Sequence, residues 1–173
     1  MNAADLERFA LRYVERYATT RGRLADYLRR KIRERGWGDG AAPDLPALAQ
    51  RMADLGYVDD RLFAESKASA MGRRGLGARR VRQALRHAGI EDEDAEAVAP
   101  AMEADAPSSA IAFARRKRIG PFAREVADRP QQEKHLAAML RAGHALDLSR
   151  KLVRMAPGED AEALIVPSRD HSN

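Results

Sequence analysis

The sequence predicts an all-α protein, an elongated array of three tandem three-helix repeats of helix-turn-helix type with about nine helices. Its composition supports this, since strong helix formers are abundant among the 173 residues, which include 34 Ala and 26 Arg. The spacing of its apolar residues also supports an all-α fold, because these residues recur at steps of three and four with almost no alternating stretch. Finally, the glycines expected to end the middle helices, Gly36, Gly89 and Gly143, lie 53 and 54 residues apart. That spacing indicates an internal repeat of about 50 residues.

The first predicted repeat covers residues 1–56. Its three helices are predicted at about 5–17, 21–35 and 45–55. Tyr13 and Tyr17 lie on the apolar stripe of the first helix, which predicts that they face the core. Gly36 follows the second helix, where glycine is the favoured residue just past a helix end.

The second predicted repeat covers residues 57–105. Its helices are predicted at about 60–71, 78–88 and from 91 onward. Asp59 is placed to cap the first of them, and Asp60 is interpreted as a capping residue as well. The acidic run Glu91–Asp94 suits the first turn of the third helix, where the helix dipole favours negative charge.

The third predicted repeat covers residues 106–156. Its helices are predicted near 108–118, 130–142 and 147–155. Residues 157–173 are predicted to be a mostly disordered tail, within which residues 163–166 could pack locally.

A small net charge of +5 conceals strong alternation along the chain. Residues 61–90 hold eight basic side chains and one acidic one. Residues 91–105 hold seven acidic side chains and no basic one, and residues 106–154 are again strongly basic. Such a pattern favours a long contact surface with charged zones over a single binding patch.

The sequence offers no catalytic or metal-binding set. It contains no cysteine, which excludes a disulfide framework and a thiolate zinc site and favours a reducing compartment. Its four histidines have no i, i+4 partner of the kind that zinc hydrolases use. No segment has the apolar run of a signal peptide or a membrane span. We therefore expect a cytoplasmic protein that is not an enzyme, binds no metal or cofactor, and does not associate with a membrane.

One helix of the second repeat combines a cationic face with an apolar one. At 100° per residue Arg79, Arg82 and Arg86 share one side, and Val81 and Leu85 lie opposite. The glycine-rich loop before this helix is either a hinge or a turn whose amides contact phosphate. A second basic run ends the seventh helix. The predicted partner- or nucleic-acid-binding residues are Arg73, Arg74, Arg79, Arg82, Arg86, Arg115, Arg116, Lys117 and Arg118.

Few aromatic side chains accompany these cations. Most of the nine aromatic residues fall at helix-core spacing, and only Trp37, in a glycine-rich loop, is predicted to be free for stacking. Proteins that hold single strands usually add aromatic platforms to a basic surface. We therefore expect phosphate contacts without sequence-specific reading.

Two stretches of the second repeat form a combined motif, GYVDDRLFA at 56–64 and GLGARRVRQALRHAGI at 75–90. The first places a Tyr-Val-Asp-Asp helix start before Phe-Ala, and the second is a Gly-x-Gly-x-x-Arg-Val helix that ends in Gly-Ile. Together they closely resemble the central motif of the RecX family of recombination regulators. The three-triplet layout extends the resemblance over most of residues 4–156.

The resemblance implies a cytoplasmic, non-enzymatic regulator whose partner is the RecA filament on single-stranded DNA. Such proteins generally inhibit RecA strand exchange and ATP hydrolysis in homologous recombination, DNA repair and the SOS response. Whether this chain inhibits RecA or tunes it stays open, and so does direct binding to DNA as a stand-alone basic helical module. We expect a monomer in which the arginines make contact, while the glycines and aspartates of the motif are structural.

Overall fold

The computed structural model describes residues 1–165, which form α-helices and two short 3-10 turns, with no strand in that range. The all-α prediction is confirmed. The helices are α1 (Ala3–Arg16), α2 (Arg21–Arg35), α3 (Leu45–Asp54), α4 (Asp60–Arg73), α5 (Ala78–His87), α6 (Asp92–Ala97), α7 (Ala99–Ala104), α8 (Ala106–Lys117), α9 (Arg129–Arg141) and α10 (Leu146–Arg154). The 3-10 turns are Gly120–Phe122 and Ala161–Leu164.

The sixth predicted helix is divided into two short helices, α6 and α7. The break follows from Pro100, which lacks the amide hydrogen that would donate to the Glu96 carbonyl in a continuous helix. The amide of Val98 reaches that carbonyl instead and closes α6. This break raises the number of α-helical segments within residues 1–165 to ten, where about nine helices were predicted.

The start of the segment predicted to be a disordered tail is folded. Residues 161–164 form a 3-10 turn, and Asp160 caps it by accepting a hydrogen bond from the Glu162 amide. Ala161 is buried and Leu164 packs against neighbouring apolar side chains. The rest of that prediction, for residues 166–173, lies outside the described residues.

The chain divides into two compact units, and each has its own core. The first unit comprises Met1–Ser66 and Ala84–Val98, and the second comprises Lys67–Gln83 and the chain from Ala99 onward. Two of the divisions fall within α4 and α5, and the third falls between α6 and α7.

The core of the first unit is built by α1, α2 and α3, with α2 and α3 in the most extensive contact. Leu24 and Leu28, one helical turn apart on α2, are completely buried, as their spacing predicts. Thr20 and Asp44 cap α2 and α3 by accepting hydrogen bonds from amides three residues on. The buried apolar residues are Leu6, Ala10, Leu24, Ala25, Leu28, Leu45, Ala49, Met52 and Val58.

The core of the second unit is built by α8, α9 and α10. Asp128 caps α9, and Pro130 in its first turn has no amide hydrogen to leave unpaired. The 3-10 turn at Ala161–Leu164 closes one side of this core. The buried residues are Ala110, Ile111, Phe113, Ala114, Ile119, Met139, Ala142, Leu152, Val153 and Ala161.

Each unit contains a joint at which the backbones of two glycines meet. In the first joint, Gly22 at the start of α2 lies against Gly89, just past the end of α5, and a Cβ on Gly22 would lie 2.7 Å from the Gly89 Cα. In the second joint, Gly77 at the start of α5 lies against Gly143, just past α9, and a Cβ on Gly77 would lie 2.4 Å from the Gly143 carbonyl carbon. Only glycine permits backbones to approach so closely. In both joints the start of a middle helix meets the end of the next middle helix, as a repeat of about 50 residues predicts.

Candidate partner-binding surface

Helix α5 has the two faces that its sequence predicts. Val81 is 2% exposed and Leu85 is completely buried, whereas Arg79, Arg82 and Arg86 are exposed. Burying one apolar stripe fixes the rotation of the helix about its axis, so the arginines must point to solvent. The predicted amphipathic helix is confirmed, and the role of its cations stays a prediction.

The start of α5 is held by the end of α9 within the second unit. The Gly77 amide donates to the Ala142 carbonyl at 2.8 Å, and the Arg79 amide donates to the Gly143 carbonyl at 3.2 Å. Amides at a helix start and carbonyls at a helix end both lack partners within their own helix, so each end satisfies the other. This arrangement positions the first turn of α5, which includes Arg79.

The three arginines of that face are not equivalent. The Arg79 guanidinium donates to the Leu140 carbonyl in the last turn of α9, so part of its hydrogen-bonding capacity is used within the fold. Arg82 and Arg86 form no ion pair with any residue in the range 1–165. An exposed guanidinium without a carboxylate partner keeps its five donors available for phosphate or carboxylate groups. Among the three arginines of this face, the structure therefore singles out Arg82 and Arg86 as the accessible cations.

Two basic runs that are 40 residues apart in sequence lie next to each other in the second unit. The Arg116 guanidinium donates to the Arg74 carbonyl in the loop before α5. Gly75 in that loop lies so close to α8 that a Cβ there would be 2.7 Å from the Phe113 amide nitrogen. All six cations of the two runs are exposed, namely Arg73, Arg74, Arg115, Arg116, Lys117 and Arg118. The fold thus joins the predicted loop cations and the predicted helix-end cations into one basic edge.

Within this basic edge, some cations are partly engaged. Arg115 pairs with Glu162 at 3.1 Å and lies over the Phe122 ring, 4.5 Å from its centre. Arg73 donates to the Ser69 hydroxyl at 2.6 Å. Arg118 has a positive φ of 55°, which ends α8 and starts the turn that follows. The remaining accessible charge is greatest at Arg74, Lys117 and Arg118.

His144 holds the loop of the basic edge in place. Its side chain is 6% exposed, and its Nε2–H donates to the Gly75 carbonyl at 2.9 Å. Its ring lies against Phe113, with the ring centres 5.6 Å apart. Burial lowers the pKa of His144 below its ordinary value, and the hydrogen bond to Gly75 only partly opposes that effect. The imidazole is therefore neutral at neutral pH and acts as a structural hydrogen-bond donor.

One aspartate of the motif has a different role from the one its sequence predicts. Asp59 caps α4, since its carboxylate accepts a hydrogen bond from the Leu62 amide at 2.8 Å. Asp60, which the sequence also favours as a capping residue, does not cap α4 but binds the first amide of α2. It is buried, and its carboxylate accepts hydrogen bonds from the Arg21 amide at 2.9 Å and the Arg21 Nε at 3.1 Å. Arg21 also pairs with Asp94 at 3.3 Å, so the motif is tied to α2 and α6 by charge.

The aromatic side chains also differ from the sequence prediction. Trp37, predicted to be free for stacking, is half-buried against the core of the first unit, and its indole N–H donates to the Ala41 carbonyl at 2.8 Å. Tyr17, predicted to face the core, is 49% exposed. The periodicity that placed Tyr17 on the core stripe ends with α1, because Tyr17 itself has an extended backbone.

The described residues contain no group of three or more histidine, aspartate and glutamate side chains placed to hold a metal ion. No helix in the same range combines the length and the apolar character needed to cross a membrane. The surface features of interest are therefore the cationic face of α5 and the basic edge of the second unit.

Comparison with known protein families identifies the segment that contains α5. Residues 59–98 match a family model described as RecX, second three-helix domain. A regulatory protein RecX from Myxococcus xanthus is 33% identical over 160 residues, which cover 88% of this chain and 86% of that relative. A regulatory protein RecX from Agrobacterium fabrum is 28% identical over 160 residues, which cover 90% of this chain and 85% of that relative.

Solved structures show the same fold. The crystal structure of RecX from Lactobacillus salivarius matches with a TM-score of 0.61 at 20% identity, covering 87% of this chain and 93% of that one. A second crystal structure of regulatory protein RecX matches with a TM-score of 0.59 at 20% identity, covering 87% of this chain and 70% of that one. The all-helical architecture with tandem three-helix domains is thus shared with proteins of solved structure.

Proposed function

The chain belongs to the RecX family of regulatory proteins, and from this premise we propose that it binds the RecA filament on single-stranded DNA and inhibits RecA recombinase and ATPase activity. The observation that carries the proposal is the accessible cationic face of α5, which lies within the segment 59–98 matched to the family. A filament of protein on single-stranded DNA presents phosphates and acidic side chains, and Arg82 and Arg86 have donors available for either.

The basic edge of the second unit is proposed as a further part of the contact. Arg74, Lys117 and Arg118 lie on two segments that the fold holds together through Arg116 and Gly75. Charges fixed on a rigid backbone lose little conformational freedom when a partner binds, which favours recognition. The proposed contact is therefore a patterned surface with several cationic elements.

We propose that the protein acts by occupying the filament and performs no chemistry itself. Its relatives are named regulatory proteins. Binding alone can inhibit a filament enzyme if it restricts the movement of subunits that hydrolysis requires. We also propose that it works in the cytoplasm, where RecA is found.

The direct test measures the DNA-dependent ATPase activity of RecA as this protein is added. We expect the activity to fall as the protein saturates the filament. An unchanged or higher activity would contradict inhibition.

Binding to RecA-coated single strands and to bare single strands at near-physiological salt tests the partner. Tighter binding to the coated strands is expected, whereas equal affinity would favour the alternative of a stand-alone DNA-binding module.

The α5 face is tested by the double charge reversal Arg82→Glu with Arg86→Glu. Both side chains are exposed and unpaired within the described range, so the fold should be retained. We expect the concentration needed for half-inhibition to rise about tenfold or more, because attraction becomes repulsion at two positions. Arg79 is left unchanged, since its guanidinium supports the end of α9.

The matched control is Arg33→Glu with Arg124→Glu, which changes the net charge equally at two exposed arginines outside α5 and outside the basic edge. It should inhibit nearly as well as the wild type. If the two double variants lose inhibition to the same degree, the α5 face has no special role and only net charge matters. Circular dichroism of both variants verifies that helicity is unchanged.

A further inference from the structure

A cleft between α1 and α2 in the first unit is lined by three tyrosines and four cations. We propose that it binds single-stranded nucleic acid, stacking an unpaired base on Tyr17 and holding the adjoining phosphates with its arginines. The cleft has a volume of about 430 Å³, which is the size range of small-ligand sites. This proposal does not rest on RecA binding, because it concerns a different unit and a bare strand.

The tyrosines form a layered aromatic surface. The rings of Tyr13 and Tyr27 are stacked, with centres 4.1 Å apart and planes inclined by 17°. Tyr17 lies beside Tyr13, with centres 5.2 Å apart and planes at 49°. Tyr17 is 49% exposed, while Tyr13 and Tyr27 are half-buried. Tyr13 and Tyr27 thus support a third ring that is open to solvent and able to receive a base.

Tyr13 and Tyr27 pack against the core of the first unit, but none of the three phenol hydroxyls is used by the fold of the described residues. These hydroxyls form no hydrogen bond to any side chain or backbone group within residues 1–165. A tyrosine that serves a protein core usually has a partner for its hydroxyl. The hydroxyls therefore stay available for a ligand, and the exposed Tyr17 ring combines an apolar face with a free polar end, as is typical of aromatic residues at binding sites.

The cations supply the charge that a strand of phosphates requires. Arg12 and Arg16 lie on α1 and have no ion-pair partner in the described range. The Arg16 guanidinium lies 5.5 Å from the centre of the Tyr17 ring. Arg30 and Lys31 lie on α2, each 5.7 Å from the centre of the Tyr27 ring.

The acidic groups near the cleft are few. None of the residues that line it carries a carboxylate. Glu34, one turn further along α2, lies 2.7 Å from the Lys31 ammonium and 4.0 Å from the Arg30 guanidinium. Glu34 therefore offsets part of the charge on α2, whereas Arg12 and Arg16 on α1 form no ion pair within the described range. The combination of aromatic faces with excess positive charge favours single strands, whose bases are unpaired and whose backbone is anionic.

The test uses fluorescence anisotropy of a labelled 15-residue oligothymidine with the full chain and no RecA. The variant Tyr17→Ala removes the exposed ring. We expect its affinity to be about tenfold lower, which corresponds to about 1.4 kcal/mol for one stacked base. Tyr17→Phe keeps the ring and should bind like the wild type.

The matched control is Tyr57→Ala, because Tyr57 is 48% exposed, nearly the same as Tyr17, and lies outside the cleft. It should leave the affinity unchanged. If Tyr17→Ala binds as well as the wild type, the proposal is overturned. It is also overturned if Tyr57→Ala loses as much affinity as Tyr17→Ala does. Both positions are exposed, so neither variant should alter the fold.

An abasic oligonucleotide of the same length separates stacking from charge. It keeps every phosphate and lacks every base, so the wild type should bind it about as weakly as Tyr17→Ala binds oligothymidine. Equal wild-type affinity for the two oligonucleotides would show that the cleft attracts phosphate alone and would overturn the stacking proposal. Oligouridine measured in parallel identifies whether DNA or RNA is preferred. If the protein does not inhibit RecA but binds oligothymidine through Tyr17, only the proposed function fails. If it inhibits RecA but Tyr17→Ala binds oligothymidine as well as the wild type, only the proposal for the cleft fails.

Discussion

The first joint carries a cluster of ion pairs, whereas the second carries a buried histidine that packs on an aromatic ring. At the first, Arg21 follows the N-cap Thr20 and binds Asp60 and Asp94. At the second, His144 binds the Gly75 carbonyl and packs on Phe113. The backbone approach of two glycines is common to both. What repeats in this protein is thus the backbone contact, and the side chains around it differ.

The difference indicates which positions the backbone contact constrains. A pair of facing backbones requires glycine, because any Cβ would collide with a neighbouring main chain. The side chains next to the pair only need to satisfy their polar groups, which an ionic cluster and a histidine achieve equally well. Sequence constraint is therefore concentrated at the glycines, and the surrounding positions are free to vary.

The largest effect is expected from replacing a glycine of a joint. Gly77→Ala would place its Cβ 2.4 Å from the Gly143 carbonyl carbon, which cannot move without shifting α9. We expect the free energy of unfolding to fall by about 3 kcal/mol, the upper range for overpacking. Gly22→Ala meets the Gly89 backbone at 2.7 Å and should cost somewhat less, about 2 kcal/mol. Urea unfolding followed by circular dichroism measures both.

The control for these variants is Gly72→Ala. Gly72 lies in the last turn of α4, and a Cβ there would meet nothing within 4 Å. Alanine favours a helix over glycine, so this variant should be as stable as the wild type or more stable by about 0.5 kcal/mol. If Gly77→Ala is equally stable, the close approach at the second joint has no energetic importance.

A smaller effect is expected from the charge around the first joint. Asp60→Asn keeps the shape of the side chain but removes the charge that faces Arg21. Unpairing a buried ion pair costs about 3 to 5 kcal/mol. Arg21 retains Asp94, so we expect a loss of about 2 kcal/mol in the free energy of unfolding. Chemical denaturation at low and moderate salt checks the value.

Asp59→Asn is the matched control for this change, because it is the same substitution at the adjacent residue. Asp59 is exposed and caps α4, and asparagine caps a helix as well as aspartate does. Its stability should therefore be within about 0.5 kcal/mol of the wild type. Equal losses at the two positions would mean that burial of the Asp60–Arg21 pair is unimportant.

These two aspartates show where prediction from the sequence stops. The helices and the apolar face of α5 follow from local spacing, which is why Val81 and Leu85 are buried as predicted. Asp59 and Asp60 are identical in kind and adjacent in sequence. Which of them is buried depends on Arg21, which is 39 residues away from Asp60 and reaches it only in the folded chain.

In the candidate site too, some features follow from local spacing and others arise only from the fold. That Arg82 and Arg86 are exposed follows from helical periodicity, whereas the hydrogen bond from Arg79 to Leu140 joins residues 61 positions apart. The adjacency of the two basic runs likewise arises from packing of Gly75 on Phe113. The tyrosine cleft was missed because helical periodicity was extended to Tyr17, where α1 has already ended.

The smallest effect concerns the pH dependence of stability and distinguishes the second joint from the first. Burial lowers the pKa of His144 below its ordinary value of 6.5, so the unfolded chain takes up a proton at a higher pH than the folded chain does. The contribution of His144 to stability is therefore complete above about pH 6.5 and is lost as the pH falls through the folded pKa.

His144→Gln keeps an N–H for the Gly75 carbonyl and does not titrate, so its unfolding midpoint should depend less on pH between 7.5 and 5 than that of the wild type. Parallel pH profiles for wild type and His144→Gln in urea unfolding would show that the imidazole is not held neutral, and the contrast between an ionic and a neutral joint would then fail.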